Sequence, residues 1–92
     1  MQITVKFEGE LEKLAGVREI RVSIEEGDTV DTVLQKLSRR YPRVLEILLD
    51  PITGEIAEKC EILLNGRHPR DGLYTKVKNR DELVLISKGM LG

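Results

Sequence analysis

The sequence predicts an α+β domain: a mixed sheet of four or five strands, one main helix packed on one face of it, and a short second helix. Three observations carry this expectation. Residues 2–7 and 19–24 alternate polar and apolar with the period of two that marks half-buried strands. Val30, Val33, Leu34, Leu37 and Tyr41 fall on one face of a helix. Residues 82–86 carry apolar side chains on both faces, Leu83 and Leu85 on one and Val84 and Ile86 on the other, as a strand buried on both sides does.

In chain order, Ile3, Val5 and Phe7 point one way from the first strand and Gln2, Thr4 and Lys6 the other. Residues 8–17 hold Gly9, Gly16 and three glutamates around Leu11 and Leu14, and read as a hairpin connection longer than a tight turn. The second strand turns Ile20, Val22 and Ile24 inward. Gly27 then breaks it, and Asp28 or Thr29 is a suitable N-cap for the main helix, with Asp31 in its first turn complementing the helix dipole. Pro42 ends that helix, because the residue before a proline avoids the α region. Residues 44–49 are long enough only for a short helix, and residues 50–54 (Asp-Pro-Ile-Thr-Gly) are turn chemistry. A third strand over 61–64 runs into the turn dipeptide Asn65-Gly66, and the last strand follows a structured connection. A hairpin, a crossing helix and two further strands bury one helix against one sheet when the first and last strands pair in its middle. That is the β-grasp arrangement.

With 92 residues the chain suffices for one domain and one compact core. Folding at this size removes only about 60–65% of the unfolded chain's surface from water, so a large internal active-site cavity is not expected. Fifteen Lys and Arg against sixteen Asp and Glu leave a net charge of −1, which gives no global field toward nucleic acid or anionic lipid. Three aromatic residues, Phe7, Tyr41 and Tyr74, are too few for a set of base-stacking platforms. No stretch approaches the roughly 20 apolar residues that span a bilayer, and the N-terminal residues lack the order of a signal peptide. The expectation is a cytoplasmic protein that binds neither nucleic acid nor membrane. One His and the single Cys60 supply little for a catalytic triad or a metal site. Cys60 reads as a small apolar filler.

The run Glu61-Ile62-Leu63-Leu64-Asn65-Gly66-Arg67, followed by Asp71-Gly72-Leu73, Thr75 and Asn79-Arg80-Asp81-Glu82-Leu83, resembles the C-terminal half of the ubiquitin-like sulfur carriers. The likeness is to the small subunit of molybdopterin synthase (MoaD-like) and the small archaeal modifiers. Gly27-Asp28-Thr29-Val30 and Arg40-Tyr41-Pro42 resemble the same family. The thiamine-pathway carriers resemble the chain less, because they lack residues 44–59.

The resemblance implies a division into a β-grasp domain over 1–86 and a flexible tail over 87–92, with function in the tail. It implies that the chain is not an enzyme and binds no cofactor. A ubiquitin-activating-like adenylyltransferase would use ATP to adenylate the Gly92 carboxylate, sulfur would replace the AMP to leave a thiocarboxylate, and a larger molybdopterin synthase subunit would receive the tail. Lys88, Gly89, Met90 and Leu91 would then thread a partner tunnel, and Leu63, Val84 and Arg67 would dock on the partner's surface. Six residues at about 3.3 Å each reach roughly 20 Å. The family ends in Gly-Gly, whereas this chain ends in Leu91-Gly92. Overpacking a tunnel fitted to glycine costs about 1–3 kcal/mol, so Leu91 is expected to slow activation. Two alternatives stand beside this reading: a modifier conjugated to lysines through Gly92, or an interaction module that has lost carrier chemistry. Basic residues from Arg67 to Arg80 form a separate feature, suited to an acidic partner surface beside the tail or simply to a solvated face.

Overall fold

The structure, a computed structural model, describes residues 1–88. Strand β1 (Gln2–Gly9) buries the predicted triplet, with Ile3, Val5 and Phe7 essentially inaccessible to water. The chain then forms a six-residue helix, α1 (Glu10–Ala15), where a hairpin loop was expected. Its physical basis is visible in retrospect. Leu11, Leu14 and Ala15 share one face, Leu11 is fully buried, and Gly16 closes the helix in the left-handed conformation (φ 78°) with its N–H donating to the Glu12 carbonyl at 2.9 Å. Strand β2 (Glu19–Ser23) follows at the sheet edge.

The main helix α2 (Val30–Arg40) starts at a reciprocal cap. The Thr32 N–H donates to Thr29 Oγ1 at 3.2 Å, and the Thr29 N–H donates to Thr32 Oγ1 at 3.3 Å, so two orphan donors are satisfied together. Val30, Val33, Leu34 and Leu37 are buried as expected. Pro42 does end α2, but it also opens the next helix, α3 (Pro42–Leu48), two residues earlier than the sequence suggested. Proline suits a first helical turn because the N–H it lacks would have no partner there. Tyr41 is the shared cap: its N–H donates to the Leu37 carbonyl, its carbonyl accepts from Val44, and its ring lies 5.3 Å from that of Phe7.

Strands β3 (Cys60–Leu64) and β4 (Glu82–Ser87) complete a mixed four-stranded sheet of order β2-β1-β4-β3. β1 pairs with β2 and β3 with β4 antiparallel, while β1 and β4 run parallel at the centre, as the two-sided apolar pattern of residues 82–86 required. The helices cover one face. Val5, Phe7, Leu83, Leu85 and Ile62 meet Leu11, Val33, Leu34, Leu37, Val44 and Leu48 there in one core. Cys60 belongs to this core, and its thiol donates to the Ile47 carbonyl at 3.5 Å. No helix among the described residues is long and apolar enough to cross a membrane.

Candidate functional site: the open sheet face and the root of the tail

Because side chains alternate along a strand, the residues between the core positions of β1, β3 and β4 form the face opposite the helices. Register fixes its rows. Lys6, Val84 and Leu63 lie side by side on adjacent strands, and Glu8, Ile86 and Glu61 form the next row toward the end of β4. Val84 is 7% exposed although it is not part of the helix-covered core, and Leu63 and Ile86 are half-buried. The result is a small apolar strip edged by charge. Lys6 Nζ lies 2.9 Å from a Glu82 carboxylate oxygen, and that hydrogen bond, with the carboxylate charge, holds the Lys6 amine above its ordinary pKa.

At the far end of β4 the last described residue, Lys88, is tied to β3. Its N–H donates to the Lys59 carbonyl at 2.7 Å, and its ammonium lies 3.6 Å from Glu61, whose second carboxylate oxygen contacts His68 Nε2 at 2.5 Å. Ser87, assigned to the tail by the sequence, is instead the final residue of β4 and is buried. Gly89, Met90, Leu91 and Gly92 lie outside the described residues.

Of the residues the sequence singled out for docking, Leu63 and Val84 are register partners on the open face. Arg67 is not with them. It is exposed beyond the Asn65-Gly66 turn, and with Arg70, Lys76 and Lys78 it borders a depression near the start of β4, a strand length from Ser87. Of the basic run, His68 reaches the root of the tail through Glu61, while Arg67, Arg70, Lys76 and Lys78 border the depression at the other end of β4. Sequence reasoning overlooked Ile86 and Glu61, although the period of two that placed Val84 and Leu63 on this face places them there as well.

Buried chemistry is scarce. Burial pushes the Cys60 thiol above its ordinary pKa, the Ser87 hydroxyl offsetting part of that effect, and a neutral thiol is a poor nucleophile. Among the described residues, no three His, Cys, Asp or Glu side chains converge as a metal site.

A model of the ThiS family matches residues 5–88, which includes the 44–59 stretch. The chain belongs to the ThiS family. No curated protein sequence matched it. Among solved structures, SAMP1 from Haloferax volcanii is 25% identical, with all of both chains covered and a TM-score of 0.87. CysO of Mycobacterium tuberculosis, described as an antigen, is 27% identical over 94% of this chain and 98% of its own, with a TM-score of 0.76. A Pyrococcus furiosus structure described as a candidate molybdopterin converting factor, subunit 1, is 21% identical over 96% of this chain and 98% of its own, at a TM-score of 0.79. That last likeness shows the fold alone. The ThiS-family chain is thus a ubiquitin-like β-grasp protein of the sulfur-carrier and modifier class.

Proposed function

We propose that this chain is a sulfur carrier whose reactive group is the Gly92 carboxylate. An activating enzyme joins that carboxylate to the AMP moiety of ATP with release of pyrophosphate. A sulfur nucleophile then displaces AMP from the acyl carbon, leaving a thiocarboxylate. The chain itself supplies no catalytic group: it docks through Leu63, Val84 and Ile86 and delivers Gly89, Met90 and Leu91 into the partner's tunnel, while Lys88, expected from the sequence to enter it as well, stays bonded to Lys59 on the domain. The observation that carries this reading is the family match over residues 5–88, which ends where β4 leaves the centre of the sheet beside the open apolar strip. Sulfur delivery to a larger molybdopterin synthase subunit, for molybdenum or tungsten cofactor assembly, is the acceptor step we favour. A second reading, conjugation of Gly92 to lysines, draws support from the end-to-end likeness to SAMP1, whose name denotes a small archaeal modifier protein.

The test is intact mass after incubation with the activating enzyme of the same organism, ATP, magnesium and sulfide. Conversion adds the mass difference between sulfur and oxygen, and an unchanged mass refutes the proposal. Isopeptide adducts that survive denaturing purification from cells favour the modifier reading. Replacing Leu91 with Gly relieves about 1–3 kcal/mol of overpacking if the tunnel fits glycine, a gain of roughly 5- to 150-fold in activation. Activity in the Leu91→Gly variant alone identifies the native chain as an interaction module.

A further inference from the structure

The Ser87–Lys88 peptide is gripped from both sides. On the β1 side, Gly9 is the register partner of Ser87 and meets its carbonyl so closely that a Cβ on Gly9 would overlap the oxygen and lie 3.4 Å from the carbonyl carbon. On the β3 side, the N–H of the same peptide donates to the Lys59 carbonyl at 2.7 Å. A peptide unit is planar and rigid, so its oxygen and its N–H move as one body. The N–H already lies 2.7 Å from its acceptor, so the peptide has no room to shift straight across the sheet; an oxygen forced off Gly9 moves by rotation of the peptide plane, which swings the N–H away from Lys59.

We infer that this peptide is a built anchor that sets where and in which direction the tail leaves the domain, and that Gly9 is a positioning residue for the terminal carboxylate. The inference rests on the proposed carrier function. It also shortens the arm. With Ser87 in the sheet and Lys88 bonded to Lys59, only the four residues 89–92 lie beyond the anchor, and they reach at most about 14 Å rather than the roughly 20 Å that six residues allow. A short arm has little slack to absorb a mis-set root, and misplacement of a reacting group by about 1 Å can cost on the order of 100-fold in rate.

Two glycines separate the anchor from ordinary backbone strain. Gly9 and Gly16 both have positive φ, 67° and 78°, so a Cβ is unfavourable at either, but at Gly16 nothing lies within 4 Å of it. Gly16→Ala therefore reports strain alone, and Gly9→Ala reports strain together with displacement of Ser87. Lys88→Pro removes the N–H donor while leaving Gly9 in place, and serves if Gly9→Ala fails to fold. Two readouts apply to the full chain: amide hydrogen exchange at Lys88, and ATP–pyrophosphate exchange catalysed by the activating enzyme of the same organism.

The expected result is a Lys88 amide that is protected in the parent and in Gly16→Ala and exchanges at least tenfold faster in Gly9→Ala. In Gly9→Ala and Lys88→Pro, kcat for pyrophosphate exchange falls at least tenfold with KM unchanged, because the docking strip is intact. Gly16→Ala keeps the parental kcat. A Lys88 amide still protected in Gly9→Ala, or parental kcat in both anchor variants, overturns the inference. If the parent chain supports no pyrophosphate exchange, the carrier function is what fails, and Lys88 exchange in Gly9→Ala still decides whether the anchor exists.

Discussion

Val84 and Leu85 are consecutive residues of β4, both buried, and the structure assigns them opposite consequences. Leu85 is wholly inaccessible and sits between its register partners Phe7 and Ile62 on the face under the helices. Leu85→Ala removes three carbons, about 2.4 kcal/mol of transfer free energy at roughly 0.8 kcal/mol each. The void left behind is enclosed by α-helices and sheet, which brings the cost to about 3–4 kcal/mol, within the usual range of about 2–5. Against a total stability of about 5–14 kcal/mol for a chain of this length, that is a large fraction. Val84 lies on the other face between Lys6 and Leu63. Val84→Ala removes two carbons, about 1.6 kcal/mol, and leaves no closed void, so its cost stops near that value. Urea unfolding with a common slope measures both. The reading extends to function: among folded molecules, Val84→Ala raises KM for pyrophosphate exchange and Leu85→Ala does not. Equal destabilisation by the two substitutions would show that the face bearing Val84 is covered, and would refute the open docking strip.

Thr29→Ala should destabilise by about 1 kcal/mol in the same urea assay, because it removes the acceptor for the Thr32 N–H, while Thr29→Ser retains most of the stability. Asp28 accepts a hydrogen bond from the Glu25 N–H and pairs with Lys36, which holds its carboxyl below the ordinary value. A depressed carboxyl stabilises the fold above its unfolded pKa of about 3.9 and loses that effect as pH falls through the folded value. Urea midpoints of the parent and Asp28→Asn should therefore differ at neutral pH and converge below about pH 4. Native Cys60 should resist iodoacetamide until denaturant opens the core, and mass spectrometry showing rapid labelling without denaturant would contradict its burial.

The pattern of the sequence was legible wherever one period dominated a segment. The alternation in β1, the heptad-like spacing in α2 and the two-sided apolar run in β4 each have one structural solution, and together they fix the central pairing of β1 with β4. Helix α1 was missed because six residues between two glycines are too short for a period to stand out, although Leu11, Leu14 and Ala15 carry it. Pro42 misled by half. Its exclusion of the α region at Tyr41 ends one helix, and its fitness for a first turn starts another. The shared face of Leu63 and Val84 on β3 and β4 was legible, because it follows from alternation. The place of Arg67 was not legible: the Asn65-Gly66 turn, closed by paired hydrogen bonds between Leu64 and Arg67, is local, but its position at the start of β4, away from Ser87, follows only from the antiparallel pairing of β3 with β4. Nor could Gly9 be recognised as more than a turn residue, since its neighbour Ser87 is 78 positions away in the chain.

The placement of β4 between β1 and β3 has a consequence for synthesis. A ribosome delivers β1, α2 and β3 first, but β1 and β3 do not touch until the last strand inserts between them. A nascent chain halted before residue 82 has an open sheet and an exposed apolar face, the kind of surface that cellular quality control removes. The strand that completes the sheet is also the one that leads into the tail. On the proposed carrier function, the segment that would be charged therefore follows directly on the strand whose insertion completes the sheet.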